Sequence, residues 1–161
     1  MQLPEATWVL IPSDMGVIAE NGVDVLAGAL KSSRALLVGP GWGTERTTRC
    51  FLQKLLQEER EVQRSRVGFA TNRPQHRESE QDKISSLPPL VLDADGLKAL
   101  AEIEGWPDIL PPRSVLTPHP GEMAVLTGLK ISEIQSDRPA IALRYAHEWG
   151  HVIVLKGAFT I

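Results

Sequence analysis

The chain carries one cysteine, Cys50, in 161 residues. An internal disulfide is excluded, and a reducing compartment, the cytoplasm, is the expected location. Basic charge is not in surplus: the formal net charge is −3. That argues against a general nucleic-acid binder, which would usually show a basic face. No apolar run is long enough to span a bilayer. The start Met1-Gln2-Leu3-Pro4-Glu5 has neither a basic n-region nor an apolar h-region, so no secretory signal is expected. There is no internal repeat, no Gly-x-Ser-x-Gly nucleophile elbow, and no Walker or GxGxxG loop. His76, His147 and His151 lack ligand-like spacing, so no metal-ligand cluster is expected and any metal ligands are unknown.

What is present is globular: 42% hydrophobic and 23% charged residues, enough for one ordinary domain with a real core. Four apolar runs each end in a cluster of functional residues, and a helix-like segment is expected to follow each. Ala35-Leu36-Leu37-Val38 leads into Gly39-Pro40-Gly41-Trp42-Gly43, and Leu90-Val91-Leu92 into Asp93-Ala94-Asp95. Val115-Leu116 leads into Thr117-Pro118-His119-Pro120-Gly121-Glu122, and Val152-Ile153-Val154-Leu155 into Lys156-Gly157. Alternating strands and helices imply an α/β fold. The carboxyl ends of strands in a parallel sheet share one edge, where ligands bind.

Other segments are read from periodicity and punctuation. Trp8 to Pro12 is expected to form a short strand. Val23, Leu26, Ala27 and Leu30 predict a helix over residues 21–30. Phe51, Leu52, Leu55 and Leu56 form the apolar face of a helix that Thr44 is placed to cap, with Cys50 as a packed residue on it. Residues from about 57 to 89 are polar and read as a helix extension and a loop insertion; Arg60, Arg64, Arg66, Arg73 and Arg77 read as a basic patch or, with the interspersed glutamates, as the favoured solvated face. Leu97, Leu100 and Ala101 mark a helix ended by Gly105, and a short helix runs from Gly121 to Thr127 with Gly128 at its end. Ile141, Leu143, Ala146 and Trp149 mark a last helix, capped by Ser136 or Asp137 and closed by Gly150. The run Val152 to Leu155 is uniformly apolar, as expected of a strand covered on both faces.

The strand-end clusters carry the candidate chemistry. Gly39, Gly41 and Gly43 allow positive φ and close approach of backbone to a ligand, or simply a tight turn. Asp93 and Asp95, two apart, face the same way if the strand geometry persists, and could hold Mg²⁺ or orient a hydroxyl. Asp95 reads equally as a helix cap. His119, between two prolines, can donate to a substrate or transfer a proton near neutral pH. Capping of the following helix explains Glu122 but leaves His119 to function. Lys156 offers a cation to a phosphate or carboxylate, or ends as a solvated strand terminus.

In order, Leu37 to Gly43, Val91 to Asp95, Leu116 to Glu122 and Val154 to Ala158 resemble the ADP/ATP-dependent NAD(P)H-hydrate dehydratase family, formerly labelled carbohydrate kinase. Pro4-Glu5-Ala6-Thr7 is similar to a short family segment as well. The resemblance implies a three-layer ribokinase-like (Rossmann-like) fold, a mostly parallel sheet with helices on both faces, and residues 1–161 as a single partial domain. It implies a repair reaction. Hydrated NADH or NADPH is phosphorylated on its added hydroxyl by ADP or ATP, and phosphate elimination restores the nicotinamide. The glycine turn (Gly39, Gly41, Gly43) and His119 would contact the hydrated dinucleotide. Lys156, Gly157, Ala158, Phe159 and Thr160 would line the nucleotide side. Asp93 and Glu122 would organise the crevice or its Mg²⁺.

Departures from the family pattern set further expectations. The family's Gly-Thr-Gly-Asp segment, which carries the catalytic base, is expected beyond Ile161, so no catalytic residue is assigned within the chain. The family's opening glycine-rich strand and helix would likewise precede Pro4. A chain with these parts absent is expected to be inactive alone and prone to self-association as a homo-oligomer. Phe159 stands where glycine is usual, and Trp42 replaces a common leucine. The competing readings are a ribokinase-like kinase of a small sugar or vitamin alcohol, and a non-catalytic nucleotide-binding module.

Overall fold

The computed structural model describes residues 6–30, 33–67 and 87–161. Its centre is a parallel sheet of four strands: β3 (Leu36–Val38), β4 (Leu90–Leu92), β5 (Val115–Leu116) and β6 (Val152–Ile153), lying side by side in chain order. The register pairs Leu37 with Val91, Val91 with Val115, and Val115 with Val152. Each connection is a crossover. Right-handed crossovers that all step in the same direction leave their helices on one face. Those helices are α2 (Arg46–Val67), then α3 (Asp95–Ala101) with α4 (Trp106–Ile109), then α5 (Pro120–Thr127), α6 (Ile131–Ser136) and α7 (Arg138–Trp149). Before the sheet come a two-stranded hairpin, β1 (Ser13–Asp14) and β2 (Val17–Ile18), and helix α1 (Gly22–Leu30).

Burial follows this one-sided cover. Val38, Leu92, Leu116 and Ile153 form one row across the sheet, each buried, and meet Phe51, Leu52 and Leu56 of α2 in a continuous core with Leu97, Leu100 and Met123. The opposite row contains Leu37, 60% exposed, and Val152, 51% exposed, with Val91 and Val115 half-buried between them. Among the described residues the sheet is thus covered on one face only. The apolar run Val152 to Leu155 is not buried on both sides here.

Several expectations change. Residues 8–12 form no strand, with Trp8 81% and Leu10 92% exposed; the one backbone bond described for the segment is from Ala19 N–H to Pro12 O at 3.0 Å, at the hairpin's edge. The hairpin just after it turns through Met15 and Gly16, both at positive φ. Helix α2 starts at Arg46, so Glu45 rather than Thr44 precedes its first turn. Gly105 does not end α3, whose C-cap is Glu102; at φ 68° it opens α4, with Pro107 in the first turn. The short α6 has no counterpart in the sequence reading. By contrast, α5 ends at Gly128 (φ 74°), and α7 is capped by Asp137, whose carboxylate accepts from Ala140 N–H at 3.1 Å. Helix α2 carries the polar stretch as far as Val67; the expected loop insertion at 68–86 lies outside the described residues.

Candidate active site at the carboxyl edge of the sheet

The turn after β3 is shaped by glycine. Gly39 has φ 113° and sits directly against the turn after β4: a methyl group on Gly39 would lie 2.6 Å from Gly96 Cα. Gly41 (φ 75°) and Gly43 (φ 78°) are also in the left-handed region, which only glycine enters without strain. Trp42 anchors the turn by packing edge-on against Phe51, centroids 5.3 Å apart, while its carbonyl accepts from Thr48 Oγ1 at 3.1 Å.

After β4 the chain bends at once. Asp93 N–H still donates to Val38 O (3.0 Å), continuing the ladder, but Ala94 adopts φ 50° and ψ −123°, and Gly96 N–H closes the turn on Asp93 O at 3.0 Å. A non-glycine residue in that region is strained. The bend separates the two aspartates expected to face together. Asp93 turns to Lys156, while Asp95 accepts from Gly43 N–H (3.1 Å) and from Lys98 Nζ (2.9 Å). Asp95 makes no cap bond for α3; it ties the first glycine turn to the second. Burial alone would raise the Asp93 carboxyl, but Lys156, Thr117 and the Ala94 N–H outweigh it and hold the group below the ordinary carboxylate value. The Lys98 ammonium does the same for Asp95, against a smaller effect of burial and with help from Gly43 N–H.

After β5, Thr117 bonds Leu92 O through both its N–H (3.0 Å) and its hydroxyl (3.1 Å). His119 is the N-cap of α5. Its Nδ1 accepts from Gly121 N–H (2.9 Å) and Glu122 N–H (3.2 Å), while Glu122 Oε2 accepts from His119 N–H at 2.8 Å. This reciprocal capping box answers the question His119 posed: the ring does satisfy the helix end. With Nδ1 engaged as acceptor, Nε2 is the nitrogen that carries hydrogen, and it lies 3.3 Å from Glu122 Oε1. The Glu122 side chain is 5% exposed, while the His119 side chain is 54% exposed.

Past β6 the ladder continues through Val154 N–H to Leu116 O and Lys156 N–H to Pro118 O, each 2.8 Å. Lys156 Nζ thereby reaches Asp93 Oδ1 and stands 3.7 Å from Glu122 Oε2. Residues 156–160 form a loop closed by reciprocal bonds of Leu155 and Ile161, Leu155 N–H to Ile161 O at 2.8 Å and Ile161 N–H to Leu155 O at 3.2 Å. Phe159 projects into solvent, 84% exposed.

The structure therefore brings Asp93, Glu122, His119 and Lys156 into one contiguous network, with the glycine turn joined to it through Gly39 and Asp95. Ala158, Phe159 and Thr160 are exposed on the adjoining loop. As a metal cage the site is a poor fit. Lys156 engages both Asp93 and Glu122, and among the described residues no three His, Cys, Asp or Glu side chains gather to ligate an ion. Sequence reasoning missed Gly96 and Lys98. The Gly96 contact lies between two strand ends far apart in sequence, and Lys98 sits one turn along α3 from Asp95.

Residues 72–161 match the family described as NAD(P)H-hydrate dehydratase. The whole chain aligns at 34% identity with the bifunctional NAD(P)H-hydrate repair enzyme Nnr of Moorella thermoacetica, covering 24% of that protein. The chain belongs to the NAD(P)H-hydrate dehydratase family. Among solved structures, the ADP/ATP-dependent NAD(P)H-hydrate dehydratase of Bacillus subtilis, co-crystallised with ATP/Mg²⁺, superposes with a TM-score of 0.51 at 27% identity over 87% of this chain and 39% of that one. A ribokinase-like superfamily protein from Enterococcus faecalis gives a TM-score of 0.58 at 20% identity over 89% of this chain and 40% of the other, which speaks to the fold alone. The parallel sheet and its helices thus share the fold of that ribokinase-like protein. This dehydratase-family chain spans about a quarter of the length of the bifunctional relative.

Proposed function

We propose that this chain supplies part of the catalytic crevice for the ADP- or ATP-dependent dehydration of hydrated NADH or NADPH. Residues 1–161 are read as part of one ribokinase-like domain. The observation that carries the reading is Lys156, whose ammonium reaches Asp93 from β4 and approaches Glu122 from α5, so three strand ends meet at one cation. In this reading Gly39, Gly41, Gly43 and the outer side of His119 receive the hydrated dinucleotide, with Asp93 and Glu122 ordering the crevice. Lys156, Gly157, Ala158, Phe159 and Thr160 receive ADP or ATP. Among the described residues the carboxylates offer no cage for Mg²⁺, so the metal is assigned to the nucleotide's own phosphates, its usual partners. The lone cysteine supports a cytoplasmic setting, and the exposed row Leu37–Val152 supports self-association.

The test is residue-resolved binding to the isotopically labelled chain. Hydrated NADPH should shift the amides of Gly39, Gly41, Trp42, Gly43, His119, Gly121 and Glu122, and ADP those of 156–160. A chain that ignores both ligands, or that binds a small sugar in their place, would sink the reading.

A further inference from the structure

Arg138 opens α7, yet its side chain leaves that helix and lies on the loop after β6. Its Nη2 donates to Leu155 O at 2.8 Å. That same carbonyl accepts from Ile161 N–H, so the arginine grips the bond pair that closes the loop. The guanidinium rests flat against Gly157. A Cβ there would lie 2.5 Å from Nη2 and 2.6 Å from both Cζ and Nη1. Gly157 has no positive φ to explain it, so the absence of a side chain serves this contact.

The arginine is incompletely matched. Its Nε is buried with no hydrogen-bond partner, and among the described residues no carboxylate forms an ion pair with it. A half-buried guanidinium left this way costs free energy unless an anion balances it, and its planar fork is suited to phosphate. Lys156, one residue before Gly157 in the chain, is engaged by Asp93 and Glu122.

We infer that Arg138 is the positioning residue of the Lys156–Thr160 loop and the second cation facing a nucleotide's phosphates. The inference rests on the nucleotide side proposed above and adds a residue to it. The guanidinium holds the loop through Leu155 O, and Gly157 lets it come close enough to share the bound anion with Lys156.

The experiment measures affinities of the chain for adenosine, AMP and ADP, in the wild type and in Arg138→Ala, Arg138→Lys and Gly157→Ala. One lost charge-assisted bond corresponds to about tenfold or more in affinity. Arg138→Ala should therefore weaken ADP by about tenfold or more and adenosine hardly at all, and Arg138→Lys should recover part of that loss. Gly157→Ala, which keeps the charge but displaces the guanidinium, should resemble Arg138→Ala. A loss of equal size for adenosine and ADP marks a purely structural arginine and overturns the inference, as does unchanged ADP binding; both leave the nucleotide side standing. Should Arg138→Ala fail to fold, Arg138→Lys and Gly157→Ala decide the matter by the same comparison. A folded wild type that binds none of the three ligands overturns the inference and the nucleotide side together.

Discussion

Gly39 and Gly96 meet backbone to backbone. A methyl group on Gly96 would lie 2.9 Å from both Gly39 Cα and Val38 O, so the turns after β3 and β4 nest only because neither residue has a side chain. Gly43 N–H and the Asp95 carboxylate fasten the same two turns a few residues further on.

Gly96→Ala should therefore destabilise the chain although alanine favours helices. Overpacking rigid backbone costs about 1–3 kcal/mol. A lowered urea midpoint at unchanged slope is the expected result. An unchanged midpoint would show that the two turns can separate freely.

His119 can be tested as a cap apart from any role toward substrate. His119→Ala should cost about 1 kcal/mol, the usual value of an N-cap, while His119→Asn keeps a capping oxygen and should cost clearly less. Equal losses in thermal unfolding would deny the cap. If His119→Asn folds like the wild type but no longer takes hydrated NADPH, the outer side of the ring is the substrate contact.

The Asp93–Lys156 pair sets an acid-side dependence. Asp93 titrates below its ordinary value of 3.8, so its ionised form favours the folded state. That contribution is complete above the unfolded-state value and is lost as pH falls through the lower folded-state value. In Lys156→Met the main cation is gone while burial remains, and the Asp93 carboxyl should rise. Carboxyl NMR titration reads the change directly, and stability should fall less steeply with acid than in the wild type. An unmoved Asp93 would mean that Thr117 and the Ala94 N–H suffice.

The two faces of the sheet should respond unequally to truncation. Leu92 is fully buried and Leu37 is 60% exposed, although their strands are paired. Leu92→Ala should cost about 2–5 kcal/mol and Leu37→Ala less than about 1 kcal/mol. Comparable losses would mean that the outer row is covered in solution.

The sequence by itself determined the four strands of the sheet and several helix limits. Uniform apolar runs marked the four strands of the sheet; the spacing of Phe51, Leu52, Leu55 and Leu56 marked the buried side of α2; Asp137, Gly128 and Gly150 marked helix limits. These features are legible because they depend on neighbours within a few residues. The meeting of the strand-end clusters was legible too, because parallel strands share a carboxyl edge. Tertiary structure decided which partners those clusters took. The sharp bend at Ala94 sent Asp93 to Lys156 and Asp95 to Gly43, where sequence spacing had set them side by side. His119 became a cap, Gly157 a seat for Arg138, and Trp8 to Pro12 no strand at all. Each outcome rests on contacts across long sequence separations or on the presence of a pairing strand, and neither is written in local periodicity.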